Sequence, residues 1–131
     1  LLHSSYLHIG AWFIEGLAGI QPDPTGPGYK RFIIRPGVLR DKPLDWVKAQ
    51  FESPYGTIVS EWRTRSGALE LTVSIPPNTT ATLYVPTKDP KSIKETNVPL
   101  ARVRGTRLLR DEKGRSVLEI QPGHYSFEAA L

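Results

Sequence analysis

The sequence predicts a mainly β fold: an antiparallel β-sandwich of about eight short strands, preceded by one N-terminal α-helix. Three observations carry this expectation. Apolar residues follow a helical period over residues 1–17 and a period of two from residue 29 onward. Between the two regimes lies Gln21-Pro22-Asp23-Pro24-Thr25-Gly26-Pro27-Gly28, which suits neither a helix nor a central strand. Finally, 12 Pro and 11 Gly in 131 residues punctuate the chain into short segments with many turns.

The helix comes first. Leu2, Tyr6, Ile9, Phe13 and Leu17 form one apolar face. Leu1, Leu7, Trp12 and Ile14 place further apolar groups on the other faces. A helix that is apolar all round must be buried all round, and a small sandwich can cover only one face. No Met occurs in the chain, which begins Leu1-Leu2-His3-Ser4. The expectation is a segment of a longer protein, divided into residues 1–20 as a helix of an upstream domain, 21–28 as a stiff connector and 29–131 as the sandwich.

Within the sandwich, Tyr29 to Arg35 is the first predicted strand and Trp46 to Glu52 the second, with Val47, Ala49 and Phe51 on one face. Ser53-Pro54-Tyr55-Gly56 is a turn. Thr57 to Arg65 and Ala68 to Ile75 form a hairpin around Ser66-Gly67. A two-residue loop places Trp62 opposite Leu71, Ser60 opposite Val73 and Ile58 opposite Ile75, while Arg63 meets Glu70 on the other face. Thr80 to Val85 is a strand. Residues 86–99 read as loop, with a short strand near Ser92 to Glu95. Val103 to Leu109 and Ser116 to Ile120 pair around Asp111-Glu112-Lys113-Gly114. His124 to Ala129 is the last strand, with Tyr125, Phe127 and Ala129 inward.

The composition constrains chemistry. With no Cys there is no disulfide, thiolate metal site or Cys nucleophile. The net charge of +4 is spread among acidic residues. The densest basic run (Arg102, Arg104, Arg107, Arg110, Lys113, Arg115) reads as a solvated strand face rather than a nucleic-acid surface. No signal peptide or membrane span is evident. No phosphate-binding glycine loop, HExxH or nucleophile elbow occurs, so neither cofactor nor metal is expected. Glu15, Glu52, Glu61 and Glu70 are the candidates for a glycosidase pair, and they fall on predicted exposed faces or on the helix. His3 and His8 are spaced too poorly to chelate, and His124 is an exposed strand position. Asn78-Thr79-Thr80 matches the N-glycosylation triplet. Trp46, Tyr55 and Tyr84 are the candidates for a sugar-stacking platform, should the domain be a carbohydrate-binding module. A freestanding cell-surface module is a further alternative.

Three stretches carry a family resemblance. They are Ser4 to Phe13, then Leu17-Ala18-Gly19-Ile20-Gln21-Pro22-Asp23-Pro24 with Pro27-Gly28-Tyr29-Lys30-Arg31-Phe32, and then the separate runs Leu44-Asp45-Trp46-Val47, Ser53-Pro54-Tyr55-Gly56 and Ile75-Pro76-Pro77-Asn78-Thr79-Thr80-Ala81-Thr82. They resemble bacterial alpha-L-rhamnosidases of glycoside hydrolase family 78. The resemblance implies that residues 1–20 are the last helix of an (α/α)6 catalytic barrel and that the sandwich is the C-terminal domain following it. It implies inverting hydrolysis of terminal alpha-L-rhamnosyl groups, with both catalytic carboxylates upstream of this segment. The implied partners are the rest of the barrel and, through the parent enzyme, rhamnose-containing glycosides. One residue carries over: His3 matches a sugar-contacting His at the start of that helix, although Leu2 stands where the family has Asn.

Overall fold

The computed structural model describes residues 19–37 and 46–131. The expected helix, and with it His3, His8 and Glu15, lies outside the described residues. What is described is a β-sandwich of eleven strands in two sheets, with no α-helix among the described residues.

The strands are β1 (Ile20–Pro22), β2 (Arg31–Ile34), β3 (Trp46–Ser53), β4 (Gly56–Arg65), β5 (Ala68–Ile75), β6 (Thr80–Val85), β7 (Lys94–Glu95), β8 (Val98–Pro99), β9 (Thr106–Glu112), β10 (Arg115–Ile120) and β11 (Gly123–Ala130). One sheet has the order β1-β2-β6-β10-β9 and the other β3-β4-β5-β11-β7-β8. The larger number of strands reflects very short ones, β1, β7 and β8, which are too brief to show a sequence period.

Alternation explains the core. Val47 and Ala49 on β3, Ile58 and Trp62 on β4, Leu69, Leu71 and Val73 on β5, and Phe127 and Ala129 on β11 are all buried. They pack against Phe32, Ile34, Ala81, Leu83, Leu118 and Ile120 of the other sheet in one hydrophobic cluster. The β4–β5 hairpin has the expected register, with Trp62 opposite Leu71, Ser60 opposite Val73 and Arg63 opposite Glu70. Ser66 and Gly67 both have positive φ, +50° and +78°, the geometry that matches strand twist in a two-residue loop.

Four expectations need correction. First, the sandwich is not wholly antiparallel, because β2 and β6 pair in parallel. The chain leaves β2, builds β3, β4 and β5 in the opposite sheet, and returns as β6 alongside β2; such a crossover is what parallel neighbours require. Second, the Pro/Gly segment does not lie wholly outside the sheets. Ile20–Pro22 is an edge strand on β2, with Ile20 buried in the core. Pro22 is tolerated because an edge strand leaves one side of its ladder unused. The rest of the segment closes this β1–β2 pair: the Asp23 carboxylate accepts from the Thr25 N–H at 2.8 Å and the Thr25 hydroxyl at 2.7 Å, and the Asp23 N–H donates to the Arg31 carbonyl at 3.0 Å. The hydrogen bonds from Thr25 hold the Asp23 carboxyl below its ordinary pKa.

Third, the strand expected from Val103 to Leu109 begins at Thr106, because Leu100–Arg102 forms a 3-10 turn. Fourth, β9 ends three residues later than expected, at Glu112, and β10 starts one residue earlier, at Arg115, so the two meet at the two-residue turn Lys113-Gly114, both at positive φ. A bulge between Val117 and Leu118 absorbs the extra residue of β9.

Candidate functional site

The outer face of the larger sheet is a polar ladder. Its first row reads Trp46, Arg63, Glu70, Glu128, Lys94 across β3, β4, β5, β11 and β7. The next reads Lys48, Glu61, Thr72, Ser126. Glu61 therefore sits between Lys48 and Thr72, and Glu70 between Arg63 and Glu128. Glu52 accepts from the Thr57 hydroxyl at 2.7 and 2.9 Å. Mixed charge of this kind, with Arg63 and Lys94 flanking the adjacent Glu70 and Glu128, is what a solvated sheet face shows. An inverting glycosidase needs two carboxylates facing each other across a sugar-sized cleft. These carboxylates stand side by side on an open sheet instead.

A second carboxylate pair escaped the sequence reading. Asp111 and Glu112 share a shallow cleft with Thr87, Lys88, Lys113 and Arg115. Both are already committed: Asp111 accepts from the Ser116 hydroxyl at 3.3 Å, and Glu112 pairs with Arg110 Nε at 2.8 Å. The hydrogen bond to Arg110 holds Glu112 below the ordinary carboxylate pKa and raises that of Arg110. A general acid needs the opposite shift.

Ser74 and His124 are neighbours on β5 and β11, and the Ser74 hydroxyl hydrogen-bonds His124 Nδ1. Nucleophilic catalysis further requires a group that orients the imidazole and donors for an oxyanion. This pair lies on a flat sheet face whose backbone N–H groups serve the ladders, so it reads as a surface hydrogen bond.

The three aromatic candidates do not form a platform. Trp46 lies on the outer face of the larger sheet, at the start of an edge strand. Tyr55 is in the β3–β4 turn, under Lys30 Nζ at 5.7 Å. Tyr84 is buried on the outer side of the smaller sheet, beneath the Arg35 guanidinium at 4.1 Å, and its hydroxyl accepts from Arg110 Nη2 at 3.3 Å. The exposure of Tyr84 was misjudged because its cover comes from Arg35 and Arg110, far away in sequence. Much of the basic run is used in the same way: Arg107 pairs with Glu119 at 3.0 Å, and Arg115 donates to the Pro36 carbonyl at 3.3 Å.

One open apolar groove and one mostly polar cleft remain. At the side where β8 and β9 form the sheet edges, Pro90, Ile93, Pro99, Leu100 and Leu108 line an open groove of about 560 Å³, with Val98 and Leu109 also exposed. At the opposite side, Trp46, Arg63, Thr64 and Arg65 line a cleft of about 300 Å³. Among the described residues no group of three or more His, Cys, Asp or Glu could hold a metal ion, and no helix is long and apolar enough to cross a membrane. What this arrangement can do is pack against another body.

Residues 19–99 match the family model described as the bacterial alpha-L-rhamnosidase C-terminal domain. An alpha-L-rhamnosidase of Formosa agariphila is 36% identical over 129 residues, which is 98% of this chain but 14% of that protein. One from Streptomyces avermitilis is 34% identical over 95% of this chain and 11% of its own length. The chain thus spans about a seventh or less of these relatives. The crystal structure of the Streptomyces avermitilis alpha-L-rhamnosidase complexed with L-rhamnose superposes on 95% of this chain with a TM-score of 0.76 and 30% identity, over 11% of that protein. The alpha-L-rhamnosidase from Dictyoglumus thermophilum shares the fold, with a TM-score of 0.77 and 24% identity over 94% of this chain and 13% of that one.

Proposed function

Because the chain belongs to the family of bacterial alpha-L-rhamnosidase C-terminal domains, we propose that it is the non-catalytic C-terminal region of a longer alpha-L-rhamnosidase. In this reading the upstream part hydrolyses terminal alpha-L-rhamnosyl groups with inversion. A carboxylic acid there protonates the leaving oxygen while a carboxylate activates water on the other face of the sugar. Residues 1–18 supply the last helix of an (α/α)6 barrel, and the sandwich buttresses that helix. One observation carries the reading: the likeness covers nearly all of this chain and only a small fraction of each relative, while the described carboxylates are already paired or spread over an open sheet face.

His3 is the residue assigned to the substrate, as a sugar contact at the start of the barrel helix. The test uses the full-length parent. NMR should show rhamnose released with inverted anomeric configuration. His3→Ala should lower kcat/KM about tenfold or more without loss of folding. Retention of configuration would defeat the inverting mechanism, and an unchanged kcat/KM would remove His3 from the site.

A further inference from the structure

We propose that the cleft at Trp46, on the outer face of the larger sheet, binds an acidic saccharide: a sugar that bears a carboxylate or a sulfate. The site lies on this chain itself and stands independently of any catalytic role of the upstream part. Trp46 opens β3, an edge strand of its sheet, and is 54% exposed. It is the one aromatic ring among the exposed large hydrophobic side chains of the described residues. An indole left in water keeps a broad apolar face free for a ligand.

The surroundings decide which ligand. Register places Arg63 directly opposite Trp46, and Arg65 lies two residues further along β4 on the same outer face. With Thr64 these side chains line a cleft of about 300 Å³. Across from Arg65 on β5 stands Ala68, whose side chain offers no acceptor. Glu70 is opposite Arg63, yet among the described residues neither arginine makes an ion pair or a side-chain hydrogen bond; the ion pairs formed are Arg107–Glu119 and Arg110–Glu112. An apolar partner would strip water from two guanidinium groups and give them nothing in return.

Donor chemistry selects an acid. The Arg63 and Arg65 guanidinium groups and the Trp46 indole N–H all donate and none accepts. A neutral sugar presents hydroxyls, which need acceptors as well as donors. A carboxylate or a sulfate presents acceptor oxygens only, and a guanidinium fork holds two of them at once. The C–H face of the sugar ring covers the indole, whose π face carries partial negative charge. A bare anion would engage the arginines and leave the indole uncovered. By contrast, the cleft lined by Lys30, Arg31, Asn78 and Gln121 has cations and amides but no aromatic ring, so it lacks the surface that recognises a sugar.

The experiment is an NMR titration of the isotope-labelled 131-residue chain. It follows the Trp46 indole N–H, identified by its loss in Trp46→Phe, and the backbone amides of β3 and β4. The probes are glucuronate, a glucose sulfate ester, glucose and inorganic sulfate. The proposal predicts saturable shifts with at least one acidic sugar, at an affinity about tenfold or more above that for glucose and for inorganic sulfate. The tighter of the two acids identifies the anionic group. Trp46→Ala and Arg63→Gln should each weaken that binding about tenfold or more, read from the backbone amides. The resonance of the buried Trp62 indole should stay in place in both variants, showing that the fold is intact. Equal affinity for glucose would remove the arginines from recognition. Equal affinity for inorganic sulfate would reduce the site to an anion patch, and no saturable shift with either acid would leave no site. Each of these three results overturns the proposal.

Discussion

Gly19 and Arg35 clasp the point where the chain joins the first sheet. The Arg35 N–H donates to the Gly19 carbonyl at 2.8 Å, and Gly19 has φ +73°. A Cβ at position 19 would come within 1.8 Å of the Arg35 carbonyl oxygen. Both the backbone conformation and the contact exclude a side chain. Gly19→Ala should therefore destabilise the 131-residue chain by about 2 kcal/mol or more, seen as a lower urea midpoint with an unchanged slope. A midpoint equal to wild type would show that the clasp is not under strain.

Trp62 anchors the inner face of β4 and is fully buried. Trp62→Ala removes the largest side chain of the core and leaves a cavity between its cross-strand neighbours Val47 and Leu71. The expected cost is about 3–5 kcal/mol in urea unfolding. A loss below about 1 kcal/mol would mean that the two sheets collapse around the gap.

Two residues before Trp62, the Ser60 hydroxyl is buried with no hydrogen-bond partner among the described residues. An unpaired buried hydroxyl carries a desolvation penalty that an apolar group avoids. Ser60→Ala should raise stability by about 1 kcal/mol, with a higher Tm in calorimetry. A lower Tm would show that the hydroxyl contributes more than its geometry indicates.

The Tyr125 hydroxyl donates to the Gln121 carbonyl at 2.8 Å. Burial pushes its pKa above the ordinary tyrosine value, and the nearby Glu95 carboxylate adds to the effect. The folded state thus favours the neutral phenol. Its contribution to stability is complete below the ordinary tyrosine pKa and is lost as the pH rises through the raised folded value. Wild type should lose stability on going to alkaline pH more steeply than Tyr125→Phe, and equal slopes in urea titrations would contradict the assignment.

The legible parts of this fold are those in which two local signals agree. The β4–β5 hairpin could be read because Ser66-Gly67 and the alternation of Ile58, Ser60 and Trp62 select one register. The inward set Tyr125, Phe127 and Ala129 on β11 followed from alternation alone. The strand Ile20–Pro22 was hidden because three residues cannot display a period and two prolines at positions 22 and 24 suggest a loop. The parallel pairing of β2 with β6 depends on a crossover through the other sheet, which no local pattern encodes. Of the site residues, the carboxylates on outward strand positions were placed correctly by alternation. The cover over Tyr84 was not, since Arg35 and Arg110 reach it only through tertiary structure.

The most direct test of the central claim compares the full-length parent with the 131-residue chain on a chromogenic alpha-L-rhamnoside. The account predicts that the parent releases the chromophore and that the chain alone does not exceed the uncatalysed rate. Turnover by the chain alone would place a catalytic pair within these residues and contradict the claim that the sandwich is a structural domain.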